Sequence, residues 1–330
     1  MSRQSDFEQL DLAVTDILAN RKVRSSVEEM SETSEATASL AELLAIARDL
    51  SSMPRPDFKM RLRSALERTT SMSAKMTTKT VQFREGFRTV TPYIYLPEAE
   101  ELIAFVQHVF SGVETGRSAH EAGAIHSEMR IGDSMLMIGG GPSYKGPRKP
   151  MLLRVLVANC DEVYQRALEA GAVSTLGITE NYGERFGCVR DRFDNQWIIS
   201  TQIGPAYSEG LEHNLTTFIK VRGAAALIEF MKQAFGAEAL MRADGPDGQV
   251  RHSIIRMRDS IVAVSDAATE GESLAPPQLY LYVPDVDAWY DRAVRAGAQP
   301  SYPPTDHAYG DRGAGVTDQW GNFWYMATPL

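Results

Sequence analysis

The chain has 330 residues, of which 43% are hydrophobic and 23% are charged, and its formal net charge is −9. This composition is typical of a soluble globular protein with two or three domains, and the acidic balance argues against general nucleic-acid binding, which needs a basic surface. Two cysteines and the lack of an apolar run near the ~18 residues of a membrane span predict a reducing cytosol and no membrane association.

Residues 1–88 lack a strand pattern. Apolar residues recur at helical spacing from Phe7 to Leu18, Ser39 and Glu42 form a capping-box pattern, and Asp57 follows two prolines at a position suited to a helix N-cap. We predict a small helical, partly flexible N-terminal region. It is either an extension without a site or a docking arm for a partner or a second subunit.

From Thr89 the pattern changes. TVTPYIYL alternates like a strand, Leu102 to Phe110 follow helical spacing, and three short strand patterns come next. After the loop GGGPSYKGPRKP the same order restarts at Leu152, which predicts two consecutive βαβββ units.

The βαβββ pair occurs twice. Tyr309 to Thr328 repeats the residues of Tyr182 to Thr201 in one order and at a constant separation, and His126-Ser127 matches His252-Ser253. Lengthy self-similarity at a fixed spacing indicates duplicated structure. The chain is therefore predicted to contain four βαβββ units in two repeats.

The four units, the endings VRDRFDNQW and VTDQWGNFW, and the segments HSEMRIGDSMLM and HSIIRMRDSIVAV resemble the vicinal-oxygen-chelate superfamily. That superfamily includes glyoxalase I, bleomycin-resistance proteins and extradiol dioxygenases, and the nearest resemblance is to its PhnB-like branch. The resemblance implies an α+β fold with glyoxalase-like domains at 89–205 and 213–330. Each domain would form an incomplete barrel around a cup from its own two units, and the two would form an internal pseudo-dimer.

Metal-using relatives take one ligand, usually His, Gln or Glu, from the first and the last strand of each unit. On this resemblance the matching positions are Thr91, Met137, Leu152 and Ile198, followed by Thr216, Ala263, Gln278 and Tyr325. One neutral amide cannot hold a divalent ion, since such sites need several carboxylates or imidazoles. We therefore expect no metal or other cofactor, with a divalent metal held elsewhere as the alternative.

Strand alternation sorts side chains between a helix side and a cup side. The residues interpreted as ligand-binding are polar or aromatic side chains on the cup side or on the loops at its rim. They are Tyr93, His126, Arg130, Arg154, Tyr182, Arg185, Lys220, His252, Arg256, Gln278, Tyr280, Tyr309 and Arg312. Trp197 and Trp324 fall on the helix side and are predicted to be core rings.

Two assignments stay open. Arg154 stands among leucines in mid-strand, so it either pairs with Glu128 or binds an anionic ligand together with Tyr93, His126 and Arg130 in the same cup. Arg185 and Arg312 either pair with Asp191 and Asp318 or close over a ligand.

The favoured function is metal-independent binding of a small molecule, an aromatic or anionic compound such as an antibiotic or a metabolite that the protein sequesters. A metal-dependent glyoxalase-like lyase or dioxygenase is the second hypothesis. The third is a structural or regulatory module that acts through its N-terminal helices. Whether the chain is an enzyme stays undecided, because fold does not imply function.

Overall fold

The computed structural model describes residues 86–119, 123–181, 183–204, 213–267 and 276–330. The helical region predicted for residues 1–88 lies outside them as far as residue 85. Within these ranges the elements follow the predicted order, βαβββ four times, and the α+β class is confirmed. In the part of the chain that is described, no helix is long and apolar enough to cross a membrane.

The first repeat consists of β1 (Val90–Leu96), α1 (Ala99–Phe110), β2 (Val113–Ala119), β3 (Ile125–Ile131), β4 (Ser134–Gly140), β5 (Leu152–Leu156), α2 (Cys160–Glu169), β6 (Val173–Asn181), β7 (Glu184–Arg190) and β8 (Gln196–Gln202). The second consists of β9 (Leu215–Val221), α3 (Ala224–Phe235), β10 (Glu238–Asp244), β11 (Val250–Met257), β12 (Ser260–Asp266), β13 (Gln278–Tyr282), α4 (Val286–Arg295), β14 (Gln299–Asp306), β15 (Asp311–Thr317) and β16 (Phe323–Pro329). Helices α2 and α4 begin at matching caps, because Asn159 and Asp285 accept hydrogen bonds from the amides of Glu162 and Ala288.

Each sheet combines one unit from each repeat. The first sheet has the order β14-β15-β16-β13-β1-β4-β3-β2, and the second has the order β10-β11-β12-β9-β5-β8-β7-β6. The repeats join through two antiparallel pairs, in which Thr91 of β1 lies opposite Tyr280 of β13, and Leu152 of β5 lies opposite Phe218 of β9. The expectation that each repeat forms a barrel from its own two units is therefore wrong. The division into domains at 89–205 and 213–330 stays a prediction.

In each repeat, an aromatic ring of the first helix packs against a tryptophan of the last strand. Phe110 of α1 lies 4.8 Å, between ring centroids, from Trp197 of β8, and Phe235 of α3 lies 4.9 Å from Trp324 of β16. Because α1 lies on the first sheet and β8 belongs to the second, the core of one repeat connects both sheets. Trp197 and Trp324 are 0% exposed, which confirms their predicted position on the helix side.

A buried carboxylate holds each tryptophan and the turn before it. Asp191 accepts hydrogen bonds from the amides of Phe193 and Asn195, from the Asn195 side chain and from Trp197 Nε1, each at 2.9 Å. Asp318 makes the same four contacts with the turn that leads to Trp324. The repeated ending that supported the family resemblance is thus a structural device that closes the turn before the last strand.

The repeated Asp-Ser pair connects the repeats. Asp133 and Ser134 accept hydrogen bonds from the amides of Asn214 and Leu215 at the start of β9. In the second repeat Asp259 and Ser260 accept from the amides of residues 89 and 90 in the same manner. Each turn therefore holds the first strand of the other repeat, which stabilises the pairing across repeats.

Asp133 makes this link sensitive to acid. Burial raises its pKa, but hydrogen bonds from Asn214, Ser134 and His213 outweigh burial and lower the pKa to about 2. A carboxyl whose folded pKa lies below its unfolded value contributes stability above the unfolded pKa and loses that contribution as pH falls through the folded pKa.

We therefore expect the melting temperature to fall as pH is lowered from about 4 to about 2, and Asp133→Asn to make that fall shallower. Circular dichroism melts of both proteins across this range measure the difference. Equal pH dependence in the two proteins would show that Asp133 does not contribute.

Candidate functional site

The face of each sheet that is turned away from the helices collects the polar and aromatic side chains. We call these faces cup 1, on the first sheet, and cup 2, on the second. Strand alternation places Tyr93, His126, Arg130, Gln278 and Tyr280 in cup 1, and Arg154, Lys220, His252 and Arg256 in cup 2. Arg154 therefore does not share a cup with Tyr93, His126 and Arg130, because β5 belongs to the other sheet.

On one side of cup 1, hydroxyl, imidazole and carboxylate groups form a chain of polar contacts. The Tyr93 hydroxyl lies 3.0 Å from that of Tyr95 and 2.7 Å from His126 Nδ1, and His126 Nε2 lies 3.6 Å from Glu128 Oε1. The Tyr93 and Tyr95 rings are 4.6 Å apart and cover Gly139, where an added Cβ would lie 2.8 Å from the Tyr93 hydroxyl. Glycine at this position therefore lets the two rings lie flat on β4.

The other side of cup 1 comes from the second repeat. The Tyr280 ring lies 4.8 Å from both Tyr282 and Tyr325, and its hydroxyl donates to Asp311 Oδ2 at 3.2 Å. The Tyr325 hydroxyl lies 2.9 Å from that of Tyr309 and 3.1 Å from His307 Nε2. Tyr309 is 65% exposed, and its assignment to the rim of the cup stays a prediction.

Burial keeps these tyrosines neutral. It raises the pKa of Tyr93, Tyr280 and Tyr325, and the neighbouring tyrosines and acidic groups raise it further. At neutral pH their hydroxyls are therefore protonated and able to donate hydrogen bonds.

Cup 2 is built around an ion pair. Arg154 Nε and Nη2 donate to the two carboxylate oxygens of Glu184 at 3.0 and 2.5 Å, and the Arg154 side chain is 9% exposed. His252 stacks on Phe218 at 5.7 Å between ring centroids, and burial lowers the pKa of His252, which favours the neutral ring. The partner expected for Arg154, Glu128, is wrong because Glu128 lies in cup 1.

Two acidic residues, Glu184 and Asp311, are not among the residues expected from the sequence, although the repeat contains a signal for them. Tyr182-Gly-Glu184-Arg185 recurs as Tyr309-Gly-Asp311-Arg312, with an acidic residue before each arginine. Glu184 pairs with Arg154 in cup 2, and Asp311 accepts from Tyr280, the residue that matches Arg154, in cup 1. The acidic residue at this position is therefore the one that faces the cup.

The arginines that follow point the other way, because successive strand residues alternate between faces. Arg185 pairs with Asp161 of α2 and with Glu180, and Arg312 pairs with Asp287 of α4 and with Asp306. The expected pairing with Asp191 and Asp318 is therefore wrong. A ligand-binding role for these two arginines stays a prediction. Tyr182 lies outside the described residues.

Three other predicted residues lie toward the edges of the cups. Arg256 forms an ion pair with Glu238 on the neighbouring strand. Arg130, at the end of β3, lines a separate cavity of about 440 Å³. Lys220 and Phe218 line a cavity of about 310 Å³ at one end of cup 2.

At the described strand positions, the side chains are poor ligands for a divalent metal. The strand positions that carry ligands in metal-using relatives bring Thr91, Met137, Gln278 and Tyr325 to cup 1 and Leu152, Ile198, Thr216 and Ala263 to cup 2. Among the described residues, no three His, Cys, Asp or Glu side chains are grouped closely enough to hold a metal ion.

Comparison with solved structures shows the same fold. Glyoxalase I from Zea mays superposes with a TM-score of 0.60 at 11% sequence identity, over 73% of this chain and 92% of that one. At this identity the likeness concerns the fold alone.

Comparison with known sequences connects part of the chain to a family. Residues 214–326 match the model of the Glyoxalase/Bleomycin resistance protein/Dioxygenase superfamily. The uncharacterized protein Rv0887c of Mycobacterium tuberculosis is 33% identical over 139 residues, which is 39% of this chain and 82% of that protein. The uncharacterized protein Mb0911c of Mycobacterium bovis is 34% identical over 130 residues, which is 36% of this chain and 86% of that protein. Taken with the βαβββ units and their sheet order, these matches show that the chain belongs to the glyoxalase/bleomycin resistance protein/dioxygenase superfamily.

Proposed function

We propose that the protein binds a planar aromatic compound, neutral or positively charged, in cup 1, and that binding needs no divalent metal. The observation that carries this proposal is the layer of tyrosine rings from both repeats on one sheet face. Four of them, Tyr93, Tyr95, Tyr280 and Tyr325, present hydroxyls linked to polar groups at the same face. Apolar, aromatic surfaces with a few placed polar groups are typical of small-molecule sites.

The charge of the ligand follows from the acidic groups in cup 1. Glu128 lies beside His126, and Asp311 accepts a hydrogen bond from the Tyr280 hydroxyl. The faces of tyrosine rings also attract cations. An anion would be repelled by both carboxylates. The anionic ligand expected from Arg154 has no support in this cup, because Arg154 lies in cup 2 beside Glu184.

We expect Tyr325→Ala to weaken binding of a planar aromatic cation, such as N-methylacridinium, about tenfold. The substitution removes one of the tyrosine rings on which the cation would stack. Fluorescence titration in the presence of a chelator measures the affinity. Tyr290→Ala is the matched control, since Tyr290 is also half-buried but lies on α4, and it should leave affinity unchanged.

Two results would contradict the proposal. One is a naphthalene sulfonate of similar ring area that binds more tightly than the cation. The other is binding that appears only after a divalent metal is added, which would favour a metal-dependent enzyme instead.

A further inference from the structure

The cavity of about 440 Å³ is a groove where α2 packs against the C-terminal end of α1. Phe110 of α1, Val163 and Arg166 of α2, and Val113 at the start of β2 are among the residues that line it. Val113 is 50% exposed, so an apolar side chain lies at its solvent side. Because residues of α1 and α2 line it, the groove reaches the helix side of the sheets and is not part of either cup.

The second repeat contains a counterpart of this groove. Helices α2 and α4 begin at matching caps and have ten residues each, so Val163 occupies the position of Trp289. Phe110 and Phe235 are the last residues of α1 and α3, which have twelve residues each. The two repeats therefore differ at one position of the groove, which has an aliphatic side chain in the first repeat and an indole ring in the second.

The indole of Trp289 fills its place in the second repeat. It stacks on Phe235 with 5.8 Å between ring centroids and an angle of 19° between the planes, and the guanidinium carbon of Arg292 lies 5.0 Å from the centre of the indole. Phe235 thus lies between two rings, since Trp324 is 4.9 Å away. Trp289 is 6% exposed, so this arrangement encloses a fused aromatic ring almost completely.

The first repeat keeps the same walls without that ring. Phe110 has Trp197 at 4.8 Å, as Phe235 has its own tryptophan. Arg166 Nε donates to the carbonyl of Val109 at 2.9 Å, and Arg292 makes the same bond to the matching residue of α3 at 3.1 Å. The guanidinium of Arg166 is therefore held at the position from which Arg292 covers the indole.

The charge of the groove selects the type of ring. A guanidinium over a ring attracts the electron-rich face of that ring and repels a cation. Glu162 lies 3.6 Å from Arg166 Nη1 and offsets part of its charge, so a negative charge on the ligand is not required. These conditions favour a neutral, electron-rich fused ring.

We propose that this groove is a second ligand site, and that it takes a small neutral compound with an indole-like ring. The ring stacks on Phe110 beneath the guanidinium of Arg166, in the place that Trp289 occupies in the second repeat. The site does not depend on the ligand proposed for cup 1.

Indole itself is the probe, and the methyl groups of Val113 report on the groove, because an aromatic ring shifts the NMR signals of methyl groups beside it. Titration of the full chain with indole should shift the Val113 methyl signals until they saturate. The absence of a saturable shift overturns the proposal.

Val163→Trp tests the location by supplying the ring from the protein. We expect the new ring to pack on Phe110 as Trp289 packs on Phe235, to leave the melting temperature unchanged or higher, and to weaken indole binding in the groove at least about tenfold. Gln165→Trp is the matched control, because it adds the same side chain on the exposed face of α2 and should leave indole binding unchanged. A Val163→Trp protein that melts at a lower temperature, or that binds indole as the unchanged protein does, overturns the proposal.

The cup 1 probe separates the two sites. At the concentration used for indole, N-methylacridinium should leave the Val113 methyl signals unshifted, because Arg166 repels a cation. Indole should shift these signals equally in the unchanged protein and in Tyr325→Ala. A shift by N-methylacridinium as large as that by indole overturns the proposal, and so does loss of the indole shift in Tyr325→Ala.

Discussion

Asp191→Ala is expected to lower the free energy of unfolding by about 4 kcal/mol or more, because it leaves four buried N–H donors without an acceptor. The donors are two backbone amides, the Asn195 side chain and Trp197 Nε1, and Asp191 itself is 4% exposed. Each unsatisfied buried donor costs about 1–3 kcal/mol, and the total is reduced where water reaches the turn. Urea unfolding monitored by tryptophan fluorescence measures the loss.

The matched control is Asp161→Ala. Asp161 is also an aspartate that accepts hydrogen bonds, two of them from Arg185. Those bonds come from Arg185 at the protein surface, where solvent replaces them, so its effect should be far smaller. Comparable losses in the two variants would show that burial of the Asp191 network does not decide its contribution.

Trp197→Ala is expected to cost about 3–5 kcal/mol, the range for loss of a large buried aromatic ring. The ring is 0% exposed and contacts Phe110 and Phe105 of α1, with centroid distances of 4.8 and 6.2 Å. Because these contacts connect a strand of the second sheet to a helix on the first, the cavity would weaken the core that joins the two sheets. Chemical unfolding and thermal melts test this.

Trp320→Ala is the comparison for that experiment, since Trp320 is half-buried and contacts Phe230 at a centroid distance of 6.4 Å. It should destabilise the protein less than Trp197→Ala. A Trp197→Ala protein that keeps its stability but loses binding of the aromatic cation would show that the ring serves the ligand rather than the core.

The acidic residues in the cups illustrate why part of the site escaped the sequence analysis. The sequence favours Arg185 of Tyr182-Gly-Glu184-Arg185 as the ligand-binding group. The strand begins at Glu184, however, so Glu184 faces the cup and Arg185 faces α2. Element boundaries are set by hydrogen bonds to neighbouring strands, and a shift of one residue exchanges the two faces.

The sequence by itself determined the order of elements, the two repeats, the cup side of Tyr93, Tyr280 and Arg154 and the core position of Trp197 and Trp324. These are local properties, because the two-residue period of a strand and the duplicated turn can be read from neighbouring positions.

Only the tertiary structure decided which side chains share a cup. The pairings of β1 with β13 and of β5 with β9 join the two repeats, and the resulting sheets place Arg154 with Glu184 and His252, apart from His126 and Tyr93. All four units carry the same pattern, so no local feature specifies which unit pairs with which, and that choice is made by packing and hydrogen bonding between segments far apart in the chain.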